Sequence, residues 1–382
     1  MSERLKTFIK DKNILIKQQS GFRDNRQTKD NLYFMSQKIL QAFGNHEKVC
    51  CIFFDIQAAF DKVWHNGLLY KLFKLKIPYY MLIWLKFFLT NRSFKVKVGE
   101  YITNLMDITC GVPQGACLSP ILFSVFINDI PINENKHNDY SLLFADDLAK
   151  MKIFNKITYE VELQLNIDLK IIQMWLSKWR LKMAPEKCSY IIFSLYYKAG
   201  VNGKKGIKKE TLDLKLYGKN ILPDNSPIFL GMRFDKYMSC KNQIDYIKSN
   251  GNDRLNIIKV LSHPSWKIDQ KTLLKLYKSL VRSLLDYSLF IFPLLSSTNK
   301  KSIQTIQNNA LRIILNKGIE TDINEMYEIL NIETIEERSN KLKEKYLNSA
   351  DFNQNPLIIE LREDYLIYKL NNHNSRIKTL LD

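Results

Sequence analysis

The sequence predicts an α+β protein, and three patterns carry that expectation. Val49–Phe54 (VCCIFF) is a short continuous apolar run, the signature of a buried strand. Val161, Leu165, Leu169, Ile172 and Leu176 recur at helical spacing, so an amphipathic helix stands between strands. The 382 residues are 46% hydrophobic and 12% aromatic, enough for a large core, while only 13 Gly and 10 Pro exclude collagen-like and low-complexity classes.

The elements follow in order. Residues 1–48 are polar and helix-like, with a turn at Gly21–Arg23. After VCCIFF, Leu68–Leu75 and Tyr80–Leu89 are expected to be helices, and Ser93–Val98 (SFKVKV) a half-exposed strand. Ser141–Ala145 and Leu148–Phe154 form strands joined by a two-residue Asp146–Asp147 turn, the length of a hairpin. Cys188–Ser194 returns to strand, Lys198–Lys219 is an exposed basic loop, and Ser226–Asp235 is one further strand. The pattern is helical from about Cys240 to Asn316 and again in the tail after Gly318. No repeat is present.

Charge narrows the partner. Lys plus Arg number 57 and Asp plus Glu 39, a formal net charge of +18. Residues 320–382 carry 13 acids and 8 bases, net −5, so residues 1–319 carry +23. Such an excess points to a polyanion, nucleic acid or an anionic membrane. No run approaches the ~18 apolar residues of a membrane span. The N-terminal residues do not resemble a signal peptide. Six scattered cysteines make no CxxC or Cys/His cluster, which argues against structural zinc and for a reducing compartment, nuclear or cytoplasmic.

Three carboxylates stand at strand ends: Asp55 after VCCIFF, and Asp146 and Asp147 at the hairpin tip. A carboxylate closing an apolar strand is costly unless compensated, and a divalent cation compensates it. Hard Mg²⁺ takes carboxylate and phosphate oxygens. Two such ions ~4 Å apart stabilise the attacking and leaving oxygens of a phosphoryl transfer. Taken alone, Asp-Asp is also an ordinary turn dipeptide, and an Asp after a strand is also a helix cap.

Three longer segments occur in a telling order: FFDIQAAFDKVWHNGLLYKL (Phe53–Leu72), GVPQGACLSPILFSVFINDIP (Gly111–Pro131) and LLFADDLAKM (Leu142–Met151). They resemble the A, B and C motifs of reverse transcriptases, and their wording is similar to that of non-LTR, LINE-type enzymes, jockey-like ones in particular. Gln18–Leu32 is similar to the segment preceding motif A, Trp175–Ser194 to motif D, and Phe229–Asp235 to motif E, the primer grip. Leu276–Ser288 and Ile306–Leu315 resemble the region that follows. The resemblance covers roughly residues 18–316 and implies a right-hand polymerase fold. Its parts would be a remnant of fingers at 1–48, a palm with an antiparallel sheet at 49–238, a helical thumb at 239–318 and an acidic helical tail at 319–382. It implies an RNA-directed DNA polymerase that extends a DNA primer on an RNA template with dNTPs. Two Mg²⁺ ions, with Mn²⁺ as the substitute, would lie on Asp55, Asp146, Asp147 and the backbone carbonyl of Ile56.

Further roles come with the resemblance. Phe60, five residues after Asp55, falls at the steric gate that rejects a ribose 2′-OH. Gln114 and Gly115 match the contacts to incoming nucleotide and template, and Lys187 matches the lysine that protonates leaving pyrophosphate. Asp61 and His65, four apart on one helical face, could pair and are read as structural, and Asp129 is expected to cap or orient the palm. Lys271, Lys275, Lys278 and Arg282 form a basic stripe opposite Leu273, Tyr277, Leu280 and Leu284, as on a thumb helix that tracks phosphates. The Lys198–Lys219 loop is a second candidate phosphate contact.

The family's upstream fingers hairpin, an endonuclease, a Cys/His knuckle and an RNase H module have no counterpart in the sequence, which suggests an N-terminally truncated element. The alternative functional reading is an inactive or domesticated remnant that binds nucleic acid without polymerising. A group II intron maturase is the rival within the same class.

Overall fold

The computed structural model describes residues 1–132, 138–195, 211–372 and 377–382. The expected basic loop therefore lies largely outside the described residues, from 198 to 210. The chain divides into two units: residues 1–31, 47–192 and 197–224, and residues 32–46, 193–196 and 225–382.

The first unit opens with α1 (Ser2–Asp11) and the start of α2 (Thr28–Gly44). It continues through β1 (Lys48–Phe54), α3 (His65–Lys74) and α4 (Tyr79–Leu89). Two short ribbons follow: β2 (Arg92–Phe94) pairs with β5 (Met106–Ile108), and β3 (Lys97–Val98) with β4 (Tyr101–Ile102). The single strand expected at Ser93–Val98 is thus two, each paired within its own ribbon. Next come α5 (Ser119–Ile127), β6 (Asp139–Phe144), β7 (Asp147–Phe154), α6 (Tyr159–Lys178) and β8 (Ser189–Phe193). The hairpin of β9 (Lys215–Leu216) and β10 (Lys219–Asn220), then β11 (Leu222–Pro223), complete the unit.

The main sheet has the order β11-β8-β1-β7-β6. β1 is its middle strand and is buried on both faces, which explains the unbroken apolar run. β1 runs antiparallel to β7 from Lys48↔Phe154 to Phe54↔Leu148. β6 and β7 close as a hairpin whose last pair is Phe144↔Asp147. The two-residue loop is therefore Ala145–Asp146, one position earlier than the expected Asp146–Asp147. Ala145 takes the positive φ of +56° that such a turn demands.

α6 is capped by Thr158, whose hydroxyl accepts from the Val161 N–H, and carries Glu160 and Glu162 in its first turn. A buried ion pair, Lys150 to Asp168 at 3.0 Å, ties α6 to β7. Lys71 of α3 reaches the Phe126 carbonyl and Asp129 beyond α5, with its ammonium over the Trp179 ring at 3.7 Å. This is the structural role expected of Asp129. Burial holds the Lys71 ammonium down at about 8 despite that partner.

The second unit contains the rest of α2 and β12 (Ile228–Phe229) with β13 (Met232–Arg233). The strand expected across Ser226–Asp235 is folded back on itself at Leu230–Gly231, both with positive φ. Then follow α7 (Lys241–Leu261), α8 (Gln270–Tyr277), a π-helical turn (Lys278–Arg282), α9 (Ser283–Ser288), α10 (Ser297–Leu315), α11 (Ile323–Leu330), α12 (Ile335–Phe352) and α13 (Pro356–Asn371). Every α2 residue from Asp30 to Phe43 is buried. The acidic tail supplies part of its surroundings. Tyr33 stacks on Tyr346 of α12 at 4.7 Å, Lys38 pairs with Asp364 of α13, and Gln37 accepts from the Leu380 N–H at 2.9 Å.

Candidate active site

All of the expected catalytic residues lie in the first unit. Asp55 directly follows β1, Asp146 is at the β6–β7 turn, and Asp147 opens β7. Because β1 and β7 are paired neighbours, the sheet brings the three carboxylates to one end of adjacent strands. Their mutual repulsion is visible in their acidity. Burial first, then the charges of Asp146 and Asp55, push the Asp147 carboxyl up to about 6. Asp146 is raised as well, chiefly by burial and further by Asp55. Lys187 sits on this cluster, its ammonium 3.8 Å from Asp55. The Asp55 carbonyl accepts from the Ala184 N–H at 3.0 Å, and Ile56 bridges to Met183, so the motif A strand end is stitched to the segment bearing Lys187.

Among the described residues no group of three or more His, Cys, Asp or Glu side chains is placed to hold a metal ion. The donor chemistry of the cluster, three hard carboxylate groups that repel one another beside one lysine, is of the kind a divalent cation takes. A cation there would relieve the repulsion that raises Asp147.

Phe60 is half-buried. Its ring stacks on Phe123 of α5 at 4.4 Å and meets the edge of Phe22 at 6.0 Å. The Gly111–Gly115 loop is sewn to the same turn. Val112 donates to the Phe60 carbonyl at 2.9 Å, Gly111 donates to the Val63 carbonyl at 2.8 Å, and the Gln114 amide donates to Asp61 at 2.9 Å. Gly115 has φ +86° and open space where a Cβ would stand, so a ligand can approach its backbone closely. Asp61 and His65 take other partners than each other. Asp61 lies in the turn before α3 and takes Gln114, while His65 is buried and donates to the Gly111 carbonyl at 2.7 Å.

The basic stripe is modified in the second unit. Lys271, Lys275 and Lys278 are exposed, as expected. Arg282 is not: it is 5% exposed and pairs with Glu333 at 3.1 Å. The π turn at Lys278–Arg282 inserts a residue into the helical phase and rotates the fourth position from the surface into the core. Two residues not singled out as site residues stand at the site, both within the Gln18–Leu32 segment: Phe22, beside Phe60, and Gln19, beside the Ala145 turn.

The family model described as "Reverse transcriptase (RNA-dependent DNA polymerase)" matches residues 1–234. The chain belongs to the reverse transcriptase family, whose members use divalent metals, and its mixed helix-and-sheet architecture is that of the polymerase fold. Its relatives include the probable RNA-directed DNA polymerase from transposon BS of Drosophila melanogaster, 28% identical over 91% of this chain and 38% of that protein. Another is the RNA-directed DNA polymerase from mobile element jockey of the same species, 28% identical over 90% of this chain and 37% of that protein. The expected kinship with jockey-like non-LTR elements is therefore borne out. The chain spans less than two fifths of the length of these relatives. A solved structure of apo telomerase from Candida tropicalis is also similar, at 13% identity and TM-score 0.47, over 91% of this chain and 54% of that one. No helix among the described residues is long and apolar enough to cross a membrane.

Proposed function

We propose that this chain is the RNA-directed DNA polymerase of a non-LTR retrotransposon, extending a DNA 3′-OH on an RNA template by phosphoryl transfer. The observation that carries the reading is the three-carboxylate cluster at the ends of β1 and β7. Two Mg²⁺ ions, or Mn²⁺ in their place, held by Asp55, Asp146, Asp147 and the Ile56 carbonyl would supply Lewis-acid stabilisation of the transferring phosphoryl. The chain's own residues do the rest. Gln114 and the open backbone at Gly115 receive the nucleotide and template, Phe60 excludes a 2′-OH, and Lys187 holds a proton for the departing pyrophosphate. Lys271, Lys275 and Lys278 grip the backbone of the RNA–DNA hybrid without regard to sequence.

In this reading the first unit supplies the palm and a part of the fingers, and α7–α10 supply the thumb. The deeply buried thiol of Cys50, pushed up to about 12 by burial, is an inert core group.

The test is primer extension on poly(rA)/oligo(dT) with dTTP and Mg²⁺. Extension that Asp146→Asn abolishes is the expected result. Tight binding of template–primer with no extension would instead identify a nucleic-acid-binding remnant.

A further inference from the structure

The turn that carries two of the three carboxylates does not hold its shape unaided. Ala145, the residue before Asp146, has φ +56°, a left-handed conformation that a residue with a Cβ rarely adopts. The hairpin register depends on it, because Phe144↔Asp147 closes the ladder across this one two-residue loop.

Gln19 stands against that turn from a segment 126 residues away in sequence. Its side-chain oxygen accepts from the Ala145 N–H at 3.0 Å and from the Gly21 N–H at 2.7 Å. Its amide nitrogen donates to the Ala145 carbonyl at 3.4 Å. One carboxamide thus pairs with both backbone groups of the strained residue, as a neighbouring strand would. The clamp is itself anchored. Ser20 N–H donates to the Leu143 carbonyl at 2.9 Å, and Leu143 N–H to the Gln18 carbonyl at 3.2 Å. Asn31 also donates to the Leu143 carbonyl, at 3.1 Å, while accepting from the Ser20 hydroxyl at 2.8 Å. Gly21 completes the fit, because a Cβ there would fall 2.2 Å from the Ala145 nitrogen. The Gln-Ser-Gly sequence is therefore shaped to the catalytic turn.

We infer that Gln19 is a positioning residue for the polymerase reaction: by clamping Ala145 in its left-handed turn it sets Asp146 and Asp147 in register to share a divalent cation with Asp55. This rests on the polymerase reading above. The Gln19 side chain bonds the backbone of Ala145 and Gly21, not a carboxylate. Its loss is felt through the carboxylates, in kcat and metal affinity rather than in nucleotide KM.

The test uses the full chain as wild type, Gln19→Met and Gln19→Met/Ala145→Gly. Methionine matches the shape of glutamine without its polar groups. Glycine adopts the turn without strain and so needs no clamp. Two readouts are taken: Mn²⁺ affinity, from the free-ion electron paramagnetic resonance signal, and steady-state dTTP incorporation on poly(rA)/oligo(dT). Gln19→Met is expected to weaken Mn²⁺ binding and lower kcat by about 10–100-fold, with KM for dTTP changed less than about twofold. Adding Ala145→Gly is expected to restore most of both. A wild-type chain that neither binds Mn²⁺ nor extends primer would overturn the polymerase reading itself. A wild-type chain that does both, with Gln19→Met matching it or with losses that Ala145→Gly leaves untouched, would overturn the clamp.

Discussion

Phe60 and Asp147 each do something that their neighbours make measurable. The Phe60 ring is fixed between Phe123 and Phe22, so truncating it opens space without unstitching the loop, whose bond to Val112 runs through the Phe60 backbone. Phe60→Ala is expected to let rNTPs compete with dNTPs in primer extension, and unchanged sugar discrimination would refute the gate. Asp147 makes a prediction about pH. Its folded acidity lies at about 6 against an ordinary 3.8, so the folded chain holds this proton more tightly than the unfolded one. Stability therefore falls as pH rises through that window and stays lower above it. Because Asp147 is exposed over much of its surface even though its carboxyl is partly desolvated, screening reduces the effect to about 1 kcal/mol, or roughly 2 °C in Tm. In metal-free buffer, Asp147→Asn should raise Tm by that much at pH 7.5 and not at pH 4. Mg²⁺ should stabilise wild type more at pH 7.5 than at pH 5. Thermal melts that show no pH dependence of the difference would count against the cluster.

At the scale of elements, the eighth and ninth helices separate two kinds of basic residue that look alike in sequence. Replacing Lys271, Lys275 and Lys278 together by Gln should leave Tm unchanged and flatten the slope of log affinity against log salt by about 2–3 in filter binding to an RNA–DNA hybrid. Arg282→Gln should do the opposite. It leaves the slope intact and costs about 1–2 kcal/mol of stability, since it removes a buried guanidinium from Glu333, which keeps only its Arg338 partner. The same residues show what a sequence can disclose. β1, α6 and the order of the three carboxylates were legible, because a middle strand reads as an unbroken apolar run and an amphipathic helix repeats by its own geometry. The burial of Arg282 was not, because a π turn leaves no mark in residue spacing. The hairpin turn was displaced by one, because an alanine with positive φ looks like any strand alanine. Gln19 was invisible as a site residue for a related reason. A side-chain clamp made across 126 positions has no period to detect.

For the molecule as a whole, the net +18 resolves into a basic first part and an acidic tail. The tail's helices are integral to the second unit, where Tyr346, Asp364 and Leu380 all meet α2. Such packing cannot be read from composition, because the contacts join positions more than 300 residues apart. In the proposed reading the basic excess holds a polyanion, and the chemistry done on that polyanion rests on three acids. Single-nucleotide incorporation on an RNA template, measured for wild type beside Asp146→Asn with template–primer binding recorded for both, tests this most directly. The account predicts Mg²⁺-dependent incorporation by wild type and none by Asp146→Asn, with equal binding. Binding without incorporation by wild type, or incorporation that survives Asp146→Asn, would contradict it.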